Sequence, residues 1–387
     1  MLAVLHVAHS RQVSEGKIAR LRLEPDLRIH LVRPGSRLDS SLDGVLRAPV
    51  WNRADPHRCL YGTVTFGLRR FRPDIVHVEE EPDSLAALQV CLARRTCAPE
   101  ARLVFHTWQN VARKRGPAVR AILKATLGAA TAVLCATPEA ERVVRQHGFR
   151  GPTCTILPQG VDPVRFAPPA APPPPRQLAV GYVGRLVPEK GCDTLVDAVA
   201  ALGPTCSLTV VGEGPERPAL ERRASKEGAA DRVGFVGPVD HASLPGHLSG
   251  FDVLVLPSRT TPVWKEQFGR VLAEAMACAV PVVGSDSGAI PWVIGDAGLV
   301  FPEGDAGALA ERLRMLRDDP ALRLELGRRG RARAVAEFAE DRLAERTAAF
   351  YRDLVSGAAP SDGKADRGAE TVDGAGHREG RTAGGPR

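Results

Sequence analysis

The chain has 387 residues, of which 44% are hydrophobic and 25% charged, and its formal net charge at neutral pH is +7. This length allows two globular domains with separate cores, and the composition excludes a disordered or fibrous protein. No uncharged apolar run reaches the ~18 residues of a membrane-spanning helix. The basic excess lies in residues 1–166, which contain 25 Lys and Arg against 15 Asp and Glu.

The eight cysteines form no CxxC pair and no cysteine–histidine spacing typical of a metal site. Several lie within apolar runs, which is typical of buried reduced thiols and favours a cytoplasmic location. Residues 1–8 are apolar but have no basic lead and are shorter than a signal-peptide core, so they predict a first strand.

Short apolar runs alternate with helical patterns in the first half of the chain. The predicted strands are 2–7, 28–32, 75–78, 103–106, 132–136 and 153–157, and the predicted helices are 84–95, 117–127 and 139–147. Residues 167–177 are rich in proline, which continues neither a helix nor a sheet, so they predict a linker.

The alternation then restarts. The predicted strands are 179–183, 207–211, 232–236, 253–256 and 280–284, and the predicted helices are 194–202, 217–227, 241–250, 269–277 and 306–317. The apolar pattern of residues 334–354 predicts a final amphipathic helix. Residues 356–387 have no periodicity and predict a disordered tail.

Strand–helix alternation predicts parallel sheets covered by helices on both faces. We therefore expect two Rossmann-like, doubly wound α/β domains at 1–166 and 178–333, followed by a helix at 334–355 whose return to the first domain is left open. Two such domains face each other across a cleft between the carboxyl ends of their strands, where ligands of open α/β sheets bind.

Glu266 and Glu274 stand eight positions apart, with Phe268 and Gly269 between them. In a helix they would be separated by about 12 Å along the axis. That is too far for two carboxylates acting on one glycosidic bond, which lie about 5–9.5 Å apart. It suits a long ligand such as a sugar joined through a diphosphate to a ribose. The alternatives are a solvated loop carboxylate for Glu266 and a core-edge glutamate paired with Arg or Lys for Glu274.

Arg185 and Lys190 lie on the loop after strand 179–183, and Asp193 is placed to cap the next helix. Two cations beside a helix N-terminus are typical of a diphosphate site, although a solvated basic loop is the alternative. GYVGRL and GEGPER both lack the third glycine of GxGxxG, which excludes a dinucleotide-binding dehydrogenase.

Further donor-site candidates lie at strand ends and at the start of helix 269–277. Free backbone amides at the helix start would face a phosphate or a sugar. Gly212 permits a tight turn near a ligand, and a plain βα turn is an equal alternative. The donor-binding candidates are Gly184, Gly212, Val236, Phe268, Gly269, Arg270, Val271 and Glu274.

Residues 178–302 resemble the nucleotide-sugar half of the GT4 family of retaining glycosyltransferases. GRLVPEKG, VVGEGP, FVG, LPS, E-x7-E and VPVVGSDSGAIP follow one another in the family's order. The resemblance implies a GT-B fold, a nucleoside-diphosphate sugar donor, retention at the anomeric carbon, and neither metal nor other cofactor. It also implies that Arg185 and Lys190 hold the diphosphate, that Glu266 binds the donor sugar and that Glu274 binds the ribose. Trp292 departs from the family, which usually has glutamate there.

The N-terminal half carries weaker signals. His106 ends the predicted strand 103–106, where the family has a histidine that lines the sugar site, and a structural histidine is the alternative. Glu80 and Glu81 either meet acceptor hydroxyls or belong to an acidic turn that caps helix 84–95. LPQGVD resembles the family's PNGVD turn and places Gly160 on the acceptor side. The family's glycine-rich loop after the first strand is absent, and only Gly16 and Arg11 stand in its place.

The expected function is a cytoplasmic retaining glycosyltransferase with Arg185, Lys190, Glu266 and His106 as its catalytic residues. Its expected partners are a nucleotide-sugar donor and a carbohydrate or lipid-linked acceptor. Two alternatives are left open: an inactive nucleotide-sugar-binding partner subunit, and a GT-B sugar-nucleotide epimerase that needs no second substrate.

Basic residues surround an apolar stripe at 111–127, at Arg113, Lys114, Arg115, Arg120 and Lys124. This pattern leaves open a peripheral contact with the inner face of a membrane, against the alternative of an ordinary solvated helix. The chain contains no recognised nucleic-acid-binding motif, so we expect no nucleic-acid partner.

Overall fold

A computed structural model describes residues 1–8, 15–35, 39–40, 44–52, 54–55, 57–169 and 177–358. Two α/β domains are present in these ranges, as the alternating pattern predicts. The greater part of the predicted linker, the predicted tail beyond residue 358, and Arg11 lie outside the described residues.

The N-terminal domain is built on an eight-stranded sheet. Its strands are β1 (Leu2–Val7), β2 (Leu27–Pro34), β3 (Asp39–Ser40), β4 (Val45–Ala48), β7 (Ile75–Val78), β8 (Arg102–Thr107), β9 (Ala132–Cys135) and β10 (Thr153–Thr155), with β5 (Val50–Trp51) and β6 (Leu60–Tyr61) forming a separate ribbon. The order across the sheet is β10-β9-β8-β7-β1-β2-β4-β3, and only the β3–β4 pair is antiparallel.

Five helices accompany this sheet in the described residues. They are α1 (Glu15–Leu21), α2 (Val64–Phe71), α3 (Leu85–Cys97), α4 (Pro117–Ala129) and α5 (Pro138–Gln146). Sequence patterns predicted α3, α4 and α5 but missed α1 and α2, because one or two turns give too few apolar repeats to set a period.

The C-terminal domain contains six parallel strands. They are β11 (Leu178–Val183), β12 (Cys206–Val211), β13 (Val233–Gly237), β14 (Val253–Leu256), β15 (Val282–Ser285) and β16 (Leu299–Phe301), in the order β13-β12-β11-β14-β15-β16. Its helices are α6 (Cys192–Ala201), α7 (Arg217–Lys226), α8 (Leu244–Leu248), α9 (Arg270–Ala277), α10 (Ile290–Ile294), α11 (Ala306–Asp318) and α12 (Pro320–Arg333). Runs such as VLVL in β14 are buried at every position, as expected of a strand covered on both faces.

The prediction of one helix over 334–354 is wrong in its first part. Ala334–Phe338 forms a π-helical turn, Ala339 is extended, and the last helix, α13, covers Glu340–Ser356. The extended residue forms a parallel bridge with Val161, whose amide donates to the carbonyl of Phe338 at 2.9 Å. This pairing interrupts the helix where the chain passes from one domain to the other.

Helix α13 packs against α1 and therefore against the N-terminal domain. Arg352 donates to Glu24 and Asp26 at 2.6–2.8 Å, and the buried Tyr351 reaches His77 beneath the helix. None of the helices in the described ranges is long and apolar enough to span a bilayer. All eight cysteines are free, and all but Cys97 are buried.

Candidate active site

A cleft of about 460 Å³ lies between the two domains, at the carboxyl ends of their strands. The first domain contributes Glu81, Trp108 and Gln159, and the second contributes residues 266–270. Direct contacts hold the two walls together: Gln267 donates to the carbonyl of Trp108 at 3.1 Å, and Lys265 pairs with Glu139 at 2.7 Å. The cleft predicted from the two sheets is therefore present.

The carboxylate of Glu266 is fixed inside the second wall of this cleft. Its side chain is 8% exposed, and Oε2 accepts hydrogen bonds from Nζ of Lys190 at 2.6 Å and from Oγ of Ser258 at 2.8 Å. Oε1 has no hydrogen-bond partner in the described part of the chain. The alternative of a solvated loop carboxylate is therefore wrong, and one oxygen remains available to a ligand.

The backbone of Glu266 is held from both domains. Its carbonyl accepts from the amide of Ala289 at 3.0 Å and from Nδ2 of Asn110 at 2.9 Å. Gly288 packs so closely that a Cβ there would lie 2.1 Å from the same oxygen. Sequence reasoning missed Asn110 and Ser258 because a single polar residue in a loop gives no signal of a partner far away in the chain.

Lys190 ends a short 3₁₀ turn, Pro188–Lys190, and Gly191 follows it at a φ of 64°. Its side chain is 15% exposed, and Nζ lies 4.9 Å from the ring centroid of Trp264. An ammonium group has three donors. The bond to Glu266 uses one of them, so the group can still donate to a phosphate oxygen.

Arg185 is held far less firmly than Lys190. Its side chain is 69% exposed and lies 3.9 Å from Glu189. The predicted cap by Asp193 is wrong: Gly191 occupies the N-cap position of α6, and Asp193 pairs with Arg259 at 2.9 Å. The two predicted cations thus differ, one fixed in a pair and the other on an open loop.

The N-terminus of α9 presents backbone amides to the cleft. The first amides of a helix have no intrahelical partner, and those of Phe268, Gly269 and Arg270 have none in the residues described. Gly269 has a φ of 74°, where a Cβ would lie 2.6 Å from Leu256. The Phe268 ring is buried against Phe338, so this residue offers its backbone alone.

Glu274 lies within α9 and is almost fully buried. Its Oε1 accepts from Nε of Arg270 at 2.9 Å and from Nε2 of His241 at 2.8 Å. The pairing with an arginine that we considered as the alternative is therefore present. Arg270 is engaged in the same pair, and Val271 is half-buried beside it. Contact of Glu274 with a ribose stays a prediction.

Backbone packing accounts for Gly212, whereas a Cβ at Gly184 would lie 2.8 Å from the hydroxyl oxygen of Tyr182. A Cβ at Gly212, whose φ is 139°, would lie 1.9 Å from the carbonyl oxygen of Gly184. The amide of Gly212 also donates to the carbonyl of Gly237 at 2.8 Å. Close approach of strand ends therefore requires glycine at position 212 without any ligand. Val236 is half-exposed in β13, and its contact with a base stays a prediction.

The structure places His106 and Glu80 inside the N-terminal domain. His106 is 3% exposed, its Nε2 lies 2.7 Å from the carbonyl oxygen of Ile156, and burial lowers its pKa to about 3. Glu80 is buried and accepts from the hydroxyl of Tyr61 at 2.5 Å. Both side chains are therefore buried within the N-terminal domain, and their contact with a sugar or an acceptor stays a prediction.

Glu81 is the acceptor-side candidate that lines the cleft. Its carboxylate accepts from Oγ1 of Thr107 at 2.6 Å and from the amide of Trp108 at 2.9 Å. Burial raises the pKa of this carboxyl group to about 7, against the lowering effect of the two hydrogen bonds. A carboxyl group that takes up and releases a proton near neutral pH thus faces Glu266 across the cleft.

The raised pKa of Glu81 predicts how the stability of the folded protein depends on pH. Between about 4.5 and about 7 the folded protein retains a proton on this carboxyl group that the unfolded chain has lost. The free energy of unfolding should therefore fall as the pH rises through this window. We expect Glu81→Gln to flatten that fall in denaturant titrations at pH 5, 6, 7 and 8, whereas Glu221→Gln on the exposed face of α7 should not. Identical profiles for Glu81→Gln and the unmodified protein would contradict the assignment.

The role of Gly160 on the acceptor side stays a prediction. A Cβ at this glycine would lie 2.8 Å from the carbonyl oxygen of Phe338, so the residue serves the crossing between the domains. Trp292 packs its ring against Phe338 with centroids 5.9 Å apart. Gly16 lies under the carboxylate of Glu340, which would be 2.0 Å from a Cβ there. None of these contacts is to the cleft.

The basic segment 111–127 is only partly helical. Helix α4 begins at Pro117, and Arg115, which precedes it, is buried in an ion pair with Asp83 at 2.6 Å. The other four predicted basic residues are exposed. They line an open groove of about 1200 Å³ whose floor includes Leu123 and Leu127. The membrane contact stays a prediction.

Comparisons with known proteins agree with this architecture. The chain resembles sucrose-phosphate synthase from Thermosynechococcus elongatus with a TM-score of 0.67 and 24% identity, covering 92% of this chain and 100% of the other. It resembles HepE from Anabaena in complex with UDP with a TM-score of 0.70 and 18% identity, at the same coverage. Two parallel-sheet domains facing across a cleft in this way define a GT-B glycosyltransferase fold.

Residues 26–165 match the family described as Glycosyltransferase Family 4, and residues 166–333 match Glycosyl transferases group 1. The 2-deoxystreptamine N-acetyl-D-glucosaminyltransferase of Streptomyces fradiae is 31% identical over 313 residues, 74% of this chain and 72% of its own length. The chain belongs to the GT4 family of glycosyltransferases.

A second relative shares less of its length. The GDP-mannose-dependent monoacylated alpha-(1-6)-phosphatidylinositol monomannoside mannosyltransferase of Corynebacterium glutamicum is 35% identical over 213 residues, 50% of this chain. The chain spans about half the length of the first curated relatives it matches, at 55%, 45% and 57%.

Proposed function

We propose that the protein transfers a sugar from a nucleoside-diphosphate sugar to a hydroxyl acceptor, with retention at the anomeric carbon. The observation that carries the proposal is the pair of Lys190 and Glu266, joined at 2.6 Å beside the free amides of α9 in a cleft between two domains. A partly buried cation, donor amides and a carboxylate with one available oxygen are together suited to a diphosphate joined to a sugar.

In the proposed arrangement the diphosphate lies at the N-terminus of α9. Its oxygens accept hydrogen bonds from the amides of residues 268–270 and from the remaining donors of Lys190, while Arg185 approaches from its open loop. The available Oε1 of Glu266 accepts a hydrogen bond from a hydroxyl group of the donor sugar. Glu274 at the centre of α9 is the candidate for the ribose, through the oxygen that Arg270 and His241 do not occupy.

Transfer proceeds by cleavage of the bond between the anomeric carbon and the diphosphate oxygen. The negative charge that develops on the diphosphate is stabilised by Lys190, Arg185 and the helix amides, which are in place before the reaction and need no reorganisation. The acceptor oxygen forms the new bond on the face that the diphosphate leaves. Its proton passes to a phosphate oxygen, so the atoms and charges balance without a protein nucleophile, a metal ion or another cofactor.

Glu81 is proposed to position the acceptor. It lines the same cleft from the opposite domain, and its carboxyl group accepts or donates a hydrogen bond depending on whether it holds its proton near neutral pH. The acceptor itself is proposed only as a class: a carbohydrate or lipid-linked hydroxyl compound. For lipid-linked acceptors, the basic groove beside α4 is the proposed contact with an anionic membrane surface.

The donor site is tested by thermal stabilisation with UDP, GDP and ADP and with their common sugar conjugates. UDP is bound in the HepE structure, and one relative is named as GDP-mannose-dependent, so both bases belong in the panel. We expect one base to raise the melting temperature. Lys190→Ala should weaken its binding by about 10–100-fold, since a charged hydrogen bond contributes about 1.5–3 kcal/mol.

The matched control is Lys226→Ala at the end of α7, whose side chain is 84% exposed. This variant should bind as tightly as the unmodified protein. The proposal fails if no nucleotide raises the melting temperature, or if Lys190→Ala binds as well as Lys226→Ala. Product analysis with and without acceptor then separates transfer from epimerisation. A nucleotide that binds without ever being turned over would favour the inactive partner subunit.

A further inference from the structure

Three histidines lie side by side within the N-terminal sheet. His6 of β1 is in register with His77 of β7, and His106 lies on the neighbouring strand β8. The rings of His6 and His77 are 4.5 Å apart, and those of His77 and His106 are 5.4 Å apart. All three side chains are buried, and the proposed transfer uses neither His6 nor His77.

Glu79 brings a carboxylate to the same place. One candidate ligand atom from each of His6, His77 and Glu79 lies within 4.8 Å of those from the other two. Nδ1 of His6 is 3.4 Å from Oε1 of Glu79. Bonds of about 2.0–2.1 Å in a tetrahedron give ligand separations of about 3.3–3.4 Å, so this edge already has the spacing of a zinc site.

The inward-facing polar atoms of this cluster lack hydrogen-bond partners. In the described ranges this holds for Nδ1 of His6, Nε2 of His77 and both carboxylate oxygens of Glu79. A buried polar atom without a partner costs about 1–3 kcal/mol. One ligand atom from each of His6, His77 and Glu79 lies within 4.8 Å of the other two, which indicates that something else satisfies these buried atoms.

Tyr351 of α13 contacts the other ring nitrogen of both His6 and His77. Its hydroxyl group lies 2.5 Å from Nδ1 of His77 and 3.1 Å from Nε2 of His6. Each of these two nitrogens thus has a partner, which fixes both ring orientations. It leaves Nδ1 of His6, 3.4 Å from Oε1 of Glu79, and the unpartnered Nε2 of His77 as the candidate metal-binding atoms. Metal-binding histidines are typically held in this way through the nitrogen that does not bind the metal.

We propose that His6, His77 and Glu79 bind one divalent transition-metal cation of the zinc type, at a site separate from the interdomain cleft. Two imidazole nitrogens and one carboxylate are a donor set that suits zinc. The site would fasten α13 to the sheet, because Tyr351 orients both histidines. It is independent of the proposed transfer reaction, and binding can be measured without any sugar substrate.

Lys17 provides the competing account. Its side chain is 1% exposed, and its Nζ has no hydrogen-bond partner among the residues described. Lys17 and Glu79 are oppositely charged, so a water-bridged ion pair would also account for the orphaned atoms. The two accounts give the charge of Lys17 opposite effects. It disfavours a bound cation, but it stabilises an ion pair with Glu79.

The first test is direct metal titration of the full chain. After treatment with a chelator and its removal, the protein is titrated with zinc against a chromophoric indicator, and with cobalt in the visible range. We expect one equivalent of zinc to bind, the absorption of four-coordinate cobalt to appear, and the melting temperature to rise with zinc. Binding of less than one equivalent, or equal stabilisation by magnesium or calcium, would overturn the proposal.

Variants then locate the site. His77→Gln should abolish the stoichiometric binding, and His247→Gln, on the surface helix α8, should leave it unchanged. Because the cluster is buried and His77→Gln is at risk of not folding, Tyr351→Phe and Lys17→Met give independent evidence. Tyr351→Phe should weaken zinc binding by about 10–100-fold, and Lys17→Met should strengthen it. If Lys17→Met lowers the melting temperature and no variant changes zinc binding, the ion-pair account is correct instead.

Discussion

Replacing Glu266 by glutamine is expected to lower kcat for sugar transfer on the order of 10²–10³-fold, the range for loss of one preorganised polar contact in an active site. Glutamine keeps the volume and the hydrogen bond from Ser258. It loses the negative charge that balances Lys190 at 2.6 Å and the carboxylate oxygen proposed to accept a hydrogen bond from the sugar. Initial rates at saturating donor and acceptor measure the effect.

The matched control is Glu221→Gln, which removes an exposed carboxylate that pairs with Arg217 on α7. Surface ion pairs contribute about 0–1 kcal/mol, so its activity should be unchanged. The melting temperature of Glu266→Gln must be measured alongside, because Lys190 is left without its partner. If Glu266→Gln transfers sugar as fast as Glu221→Gln, the carboxylate has no part in the reaction.

Gly288→Ala is expected to lower kcat by about 10–100-fold without removing any functional group. The new Cβ would lie 2.1 Å from the carbonyl oxygen of Glu266, so the Glu266 backbone must move. A displacement of about 1 Å in a catalytic group can cost about 10²-fold in rate. The φ of 56° adds about 1–3 kcal/mol of strain, which should also lower the melting temperature.

Gly304→Ala separates these two effects. Gly304 also has a positive φ, 79°, but the nearest atom to its added Cβ is Nε of Arg259 at 3.9 Å. It should therefore lower the melting temperature by a similar amount and leave kcat unchanged. If Gly288→Ala and Gly304→Ala lose stability equally and neither loses activity, contact with Gly288 does not position Glu266.

Much of the donor half could be predicted because its signals are local in sequence. A glycine-flanked basic loop after one strand and two glutamates around one helix start are each visible within a dozen residues. Parallel strands bring their carboxyl ends to one edge, which is enough to place Lys190 near Glu266 although 76 positions separate them. The sequence could not show that the two side chains pair directly.

The N-terminal half was harder to predict because a strand end does not reveal where its side chains point. Glu80 and Glu81 are adjacent, yet Glu80 is buried against Tyr61 while Glu81 lines the cleft. His106 ends the predicted strand 103–106 and lies in β8, but it bonds to the carbonyl of Ile156 in the interior. Contacts between domains, such as that of Asn110 with Glu266, depend on how two separate folding units meet.

Residues 334–354 also show that local sequence patterns do not reveal contacts between the domains. A helical period continues across residues 334–354, but the pairing of Ala339 with Val161 interrupts it. That pairing forms where the chain segments around Val161 and Ala339 meet between the two domains. Glycine is required at position 160 because a Cβ there would collide with the backbone of Phe338. Local periodicity therefore predicted the type of element and missed its beginning.

The most direct test of the donor-site assignment is a crystal structure of the protein with a nucleoside diphosphate bound. We predict that the diphosphate lies at the N-terminus of α9, with its oxygens within hydrogen-bond distance of the amides of residues 268–270 and of Nζ of Lys190. The ribose should then lie towards Glu274. A diphosphate bound instead in the basic groove beside α4, with the cleft at Glu266 empty, would contradict the account.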